Sequence, residues 1–123
     1  VYFTQPRGPP HEAIALVPAQ LTDQDGGRFY HVKGAVSMGM EYECRPGYKF
    51  GLSKSYKDKV YQFQLPKSYV PNFEQIASTR PPPYDPRALT ESVPGPPVRD
   101  CATWVAEVLE EIRALLRYDG LAA

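Results

Sequence analysis

The chain has 123 residues, 14 Lys/Arg against 14 Asp/Glu, and 42% hydrophobic residues, so its formal net charge is zero. That length suits a single domain over residues 1–123 with one core. The even charge argues against a basic nucleic-acid stripe or an acidic tail, and no apolar run reaches the roughly 20 residues of a membrane span. The two cysteines, Cys44 and Cys101, are too few and too far apart for a disulfide scaffold or a Cys-x-x-Cys zinc site. Two free thiols in a reducing, cytoplasmic setting are expected, with no metal or other cofactor. No secretory signal is visible in a sequence that begins at Val1.

Residues 1–10 read as an extended segment, because Gln5-Pro6-Arg7-Gly8-Pro9-Pro10 cannot hold a helix. His11 to Val17 alternates, with Ile14 and Leu16 on one face and His11, Ala13, Ala15 and Val17 on the other, which predicts a strand. The second face is made of small residues and is shaped to receive a closely packed helix. After a polar loop with Asp25-Gly26-Gly27 as its turn, residues 28–36 predict a second, antiparallel strand. A turn centred on Asp25-Gly26 would pair His11 near residues 39–41 and Leu16 near residue 35. Met40 to Arg45 predicts a third strand, with Met40, Tyr42 and Cys44 inward and Glu41 and Glu43 toward solvent. Pro46-Gly47 then turns the chain. Lys59 to Leu65 predicts a fourth strand, and Asn72 to Ser78 a short helix with Asn72 as cap and Gln75 completing a capping box. Residues 80–99 hold seven prolines and read as an irregular crossing loop. A proline ligand for an aromatic groove is the weaker reading of Pro81-Pro82-Pro83.

The clearest element is the last. Cys101, Trp104, Val105, Val108, Leu109, Ile112, Leu115 and Leu116 fall on one helical face, and Glu107, Glu110, Glu111, Arg113 and Arg117 on the other. Asp100 is a good N-cap, and Gly120 can close the C-terminus of this core helix over residues 100–118. Cys101 stands in its first turn, where the positive end of the dipole favours a thiolate. Taken alone, Cys101 reads more readily as a small core residue, and His11 as a hydrogen-bonding residue at a strand edge. Packing the helix on the small-residue face would bring the two together, and a thiol beside an imidazole is the working part of Cys–His catalysis.

These residues carry a resemblance. His11-Glu12-Ala13-Ile14-Ala15-Leu16, a following strand with His31, and Asp100-Cys101-Ala102-Thr103-Trp104-Val105 resemble the His-x-x-Ile-x-Leu hairpin and Asn-Cys-x-x-Phe/Trp-Val helix of permuted papain-like thiol enzymes. These are the lecithin–retinol acyltransferase and NlpC-type proteins, and a similar order occurs in small fungal proteins. The resemblance spans residues 11–116 in outline, with specific motifs over about fifteen positions. It implies Cys101 as nucleophile, His11 as general base and His31 as a third, orienting member. Tyr30 and Glu43 are alternatives for that third role. The sequence departs from the pattern at Asp100, where Asn is usual, and a carboxylate there raises the pKa of the neighbouring sulfur.

The expected fold is α+β, an antiparallel β-meander of about four strands packed against a long C-terminal helix. The expected function is cysteine-dependent hydrolysis or acyl transfer on an amide or ester of a small-molecule or peptide substrate, with the amides of Cys101 and its successor as oxyanion donors. An inactive member that binds a small molecule or protein, and a cyclase-like enzyme without a covalent intermediate, are the other two classes.

Overall fold

A computed structural model describes residues 1–6, 9–86 and 99–121 of the chain. The fold is α+β. A meander of β3 (Ile14–Leu16), β4 (Gly27–Lys33) and β5 (Glu41–Tyr48) forms one antiparallel sheet in the order β3-β4-β5. A smaller sheet, ordered β2-β1-β6, joins β1 (Tyr2–Phe3), β2 (His11–Glu12) and β6 (Tyr56–Asp58). Two α-helices follow among the described residues, α1 (Val70–Thr79) and α2 (Cys101–Tyr118).

Alternation along β4 divides the interior in two. Tyr30 and Val32 face one way and join Ile14, Phe73, Ala77, Trp104, Val105, Val108, Ile112 and Leu116 in the main core. Phe29 faces the other way, with Phe3, Ala13 and Phe50. Helix α2 therefore covers the bulky face of the meander, and the small-residue face expected to receive it is covered instead by the aromatic rings of Phe3, Phe29 and Phe50. Burial scales with the apolar area removed from water, so a helix carrying Trp104 and Ile112 gains more against Ile14, Tyr30 and Val32 than against alanines. Of the expected helix core, Trp104, Val105, Val108 and Ile112 are buried, while Leu109 is half-buried.

The meander's register also departs from the expected one. Ile14 pairs with Tyr30, Ala15 with Phe29 and Leu16 with Arg28. The connecting loop is a structure of its own, in which the Asp25 carboxylate accepts from the amide and hydroxyl of Thr22, each at 2.9 Å. The second strand thus begins at Gly27, where a Cβ would stand 2.2 Å from the Leu16 carbonyl oxygen. At the far end, β5 runs through Pro46-Gly47 where a turn was expected. Gly27 pairs with Tyr48 but Phe29 with Arg45, so β5 carries one extra residue as a bulge. The bulge accommodates Pro46, which has no N–H for the ladder, and Gly47 takes a φ of 68°.

Two other expected elements shift. The fourth strand over Lys59 to Leu65 is absent from the sheets; the paired segment is the short β6, and Phe63 and Leu65 pack on the main core without strand pairing. Helix α1 starts at Val70, with Asn72 inside it, because Pro71 in the first turn presets a helical φ. Most of the expected proline-rich loop over 80–99 lies outside the described residues.

Helix α2 begins and ends as expected. Asp100 Oδ1 accepts from the amide and the hydroxyl of Thr103, each at 3.1 Å, and the Thr103 hydroxyl accepts from the Asp100 amide at 3.2 Å. At the other end Gly120 has a φ of 79°. The Leu121 amide reaches the Leu116 carbonyl at 2.8 Å and the Gly120 amide that of Arg117 at 3.0 Å, closing a Schellman motif.

Candidate functional site: a histidine pair beside Cys101

His11 and His31 come from strands that local sequence alone leaves unrelated. His11 sits in β2, opposite Phe3 of β1. His31 sits in β4, opposite Glu43 of β5. The observed register, in place of the expected one, puts the two imidazoles in contact. His11 Nε2 and His31 Nδ1 are 2.9 Å apart, and the ring planes are inclined at 75°. The His31 ring lies 4.9 Å from that of Phe29, which closes one side of the pair.

The chain of contacts continues outward. His31 Nε2 meets Glu43 Oε1 at 2.8 Å, and Lys33 Nζ donates to Glu43 Oε2 at 2.9 Å. Glu43 was expected to point to solvent. Alternation correctly places it opposite Tyr42 and Cys44, but that face of the meander carries His31 and Lys33. The hydrogen bonds to His31 and Lys33 push the Glu43 carboxyl down to about 2. Sequence offered Glu43 only as an alternative for the third role, because the directly opposed His31–Glu43 pair requires the register.

Cys101 is the first residue of α2, half-buried, and its thiol is free. The body of α2 lies on the meander face opposite the histidines, and the helix also meets β2. There the backbone amide of Glu12, the residue after His11, acts to lower the thiol's pKa. His11, Lys33, Met40, Asp100 and Cys101 line one concavity of about 430 Å³. His11 also lines a second one of about 330 Å³, with His31, Phe3, Phe29, Arg45 and Tyr48.

Electrostatics set the resting protonation state. Burial pushes the Cys101 thiol up from its ordinary value. The Glu12 and Ala102 amides pull it down, while the Asp100 and Glu12 carboxylates push it further up. Burial outweighs the helix terminus here, against the expectation that the dipole favours a thiolate. Burial, and after it the His31 ring, lower the His11 pKa. Both shifts favour the uncharged forms, a thiol at Cys101 and a neutral imidazole at His11.

The first turn limits the oxyanion donors. The Thr103 amide is taken by the Asp100 carboxylate and the Trp104 amide by the Asp100 carbonyl. The amides of Cys101 and Ala102 precede both bonds, and that of Ala102 acts to lower the thiol's pKa. Among the described residues no group of three or more His, Cys, Asp or Glu side chains is placed to hold a metal, and no helix is long and apolar enough to cross a membrane.

A protein-family profile described as a family of unknown function (DUF6540) matches residues 1–115. No curated protein and no solved structure matches the chain.

Proposed function

The chain thus belongs to DUF6540, and we propose that it is a cysteine-dependent hydrolase or acyltransferase acting on an amide or ester. The observation that carries this reading is the aligned histidine pair, 2.9 Å from ring to ring, with its inner ring facing the concavity that holds Cys101. Cys101 is the nucleophile, His11 the general base and His31 the ring that holds His11 in place.

The protonation states select the order of events. With the thiol pKa raised and the imidazole pKa lowered, the Cys101 proton passes to His11 as sulfur attacks the carbonyl carbon. The carbonyl oxygen takes the negative charge at the first turn of α2. Collapse expels the alcohol or amine, which leaves with the proton from His11, and a thioester remains on Cys101. Water or an acceptor hydroxyl or amine then attacks the thioester and gives its proton to His11. The sulfur leaves as thiolate and recovers that proton.

The test is acylation by an activated ester such as p-nitrophenyl acetate, read by intact mass in a Cys44→Ser background. One acyl group on Cys101, absent in Cys101→Ala and slowed on the order of 10²-fold in His11→Ala, is the expected result. An unmodified protein after long incubation removes the catalytic reading.

The half-burial of the thiol favours a second reading, a member of the fold that binds a small molecule or a protein without covalent chemistry. Stabilisation against heat by a small molecule that leaves Cys101 unmodified marks that class. A cyclase-like reaction without a covalent intermediate is distinguished by turnover that survives Cys101→Ala.

A further inference from the structure

We infer that Glu43, held by Lys33, is a positioning residue that fixes the tautomers of both histidines and leaves His11 Nδ1 as the basic nitrogen. The tautomer assignment stands on geometry alone; its catalytic consequence rests on the thiol chemistry proposed above.

An ionised carboxylate can only accept hydrogen bonds. Glu43 Oε1, at 2.8 Å from His31 Nε2, therefore requires the proton on Nε2 of that ring. In neutral His31 the other nitrogen, Nδ1, is then a bare lone pair. It faces His11 Nε2 at 2.9 Å, so the bond forms only if His11 carries its proton on Nε2. That leaves His11 Nδ1 unprotonated and free to take a proton. With Glu43 neutral or absent, both rings can exchange tautomers together without losing the bond between them. In the exchanged state His31 Nδ1–H donates to His11 Nε2, and His11 Nδ1 is already protonated and useless as a base.

Lys33 makes the arrangement specific. By binding Oε2 at 2.9 Å it stops the carboxylate from turning away, and it keeps the group ionised. The other charges near the histidines are Arg45 from β5, which lines a concavity with both rings, Glu12 beside His11 on β2 and Asp100 from the start of α2. None of these hydrogen-bonds either ring, whereas Glu43 bonds His31 directly. When His11 has taken a proton, the same bonds pass the charge outward, from His11 Nε2–H to His31 Nδ1, toward the carboxylate.

The experiment is two-bond ¹H–¹⁵N NMR of the imidazoles in the full chain, at a pH where both rings are neutral, paired with the acylation assay. In the unaltered protein both His11 and His31 should read as Nε2–H tautomers. Glu43→Gln, whose amide can donate as well as accept, should mix the tautomers of both rings and slow acylation on the order of 10²-fold. Glu43→Asp, which keeps the carboxylate, should restore the tautomers and part of the rate. The backbone amide spectrum verifies that each variant is folded. An Nδ1–H tautomer on either ring of the unaltered protein, or unchanged tautomers in Glu43→Gln, overturns the inference. Tautomers that follow Glu43 in a protein whose Cys101 is never acylated support the inference and reject the proposed thiol chemistry.

Discussion

Replacing Asp100 by Asn separates the two jobs this side chain has. As a cap it accepts from the Thr103 amide and hydroxyl, and the Asn side-chain oxygen can do the same at little cost, since Asn and Asp rank together as caps. As a charge it opposes the ionisation of Cys101 one residue on, and an amide does not. Removing that charge therefore lowers the thiol pKa. Well below the thiol pKa, each unit of lowering multiplies the thiolate fraction about tenfold while the lower basicity cuts intrinsic nucleophilicity roughly threefold, so alkylation should quicken, by about threefold for each unit. The assay is the pH profile of iodoacetamide alkylation with Cys44→Ser, so that one thiol reports, beside a urea titration to verify the cap. In the unaltered protein the profile should rise above the ordinary thiol range, because burial dominates the shift. A rate and an apparent pKa untouched by Asp100→Asn, at unchanged stability, would refute the charge argument and leave access as the factor limiting Cys101.

The other expectations concern the frame that holds the site. Val108 is fully buried in the main core, so Val108→Ala removes two methyl groups and leaves a cavity, costing about 2–3 kcal/mol in urea unfolding. The same change at half-buried Leu109 should cost less, and a cost under ~0.5 kcal/mol at Val108 would place α2 outside the core. Gly27→Ala would set a Cβ 2.2 Å from the Leu16 carbonyl oxygen, so it should destabilise the meander by about 2 kcal/mol or more; a neutral result would contradict the register that joins the histidines. Glu43 has its folded pKa lowered from 4.5 to about 2. Its contribution to stability is thus complete above about pH 4.5 and lost as pH falls toward 2. Acid-unfolding curves of Glu43→Gln should be flatter across that window, and parallel curves would mean that the carboxylate is not selectively held in the folded state.

Sequence alone determined the features whose causes lie within a few residues of one another. The periodicity of residues 101–116, the Asp100 cap and the closing Gly120 delimit α2 because capping bonds and the 3.6-residue repeat act over one or two turns. Alternation likewise placed Ile14 and Leu16 on one face, and Met40, Tyr42 and Cys44 toward the main core. Tertiary structure decided everything that depends on one segment meeting another. The register followed from the Thr22–Asp25 turn and the close approach of Gly27 to Leu16, not from the midpoint of the loop. The side of the meander taken by α2 followed from where large apolar surfaces meet, which no single segment reveals. Pro46-Gly47 became a bulge because β5 could gain further pairing to β4 beyond it. Cys101, His11 and His31 were legible as chemically capable residues, and Glu43 only as one alternative for the third role, on a strand face read as pointing to solvent. A one-residue slip in register turns every side chain of a strand to the other face, so only the folded pairing of β4 with β5 brings that carboxylate opposite His31.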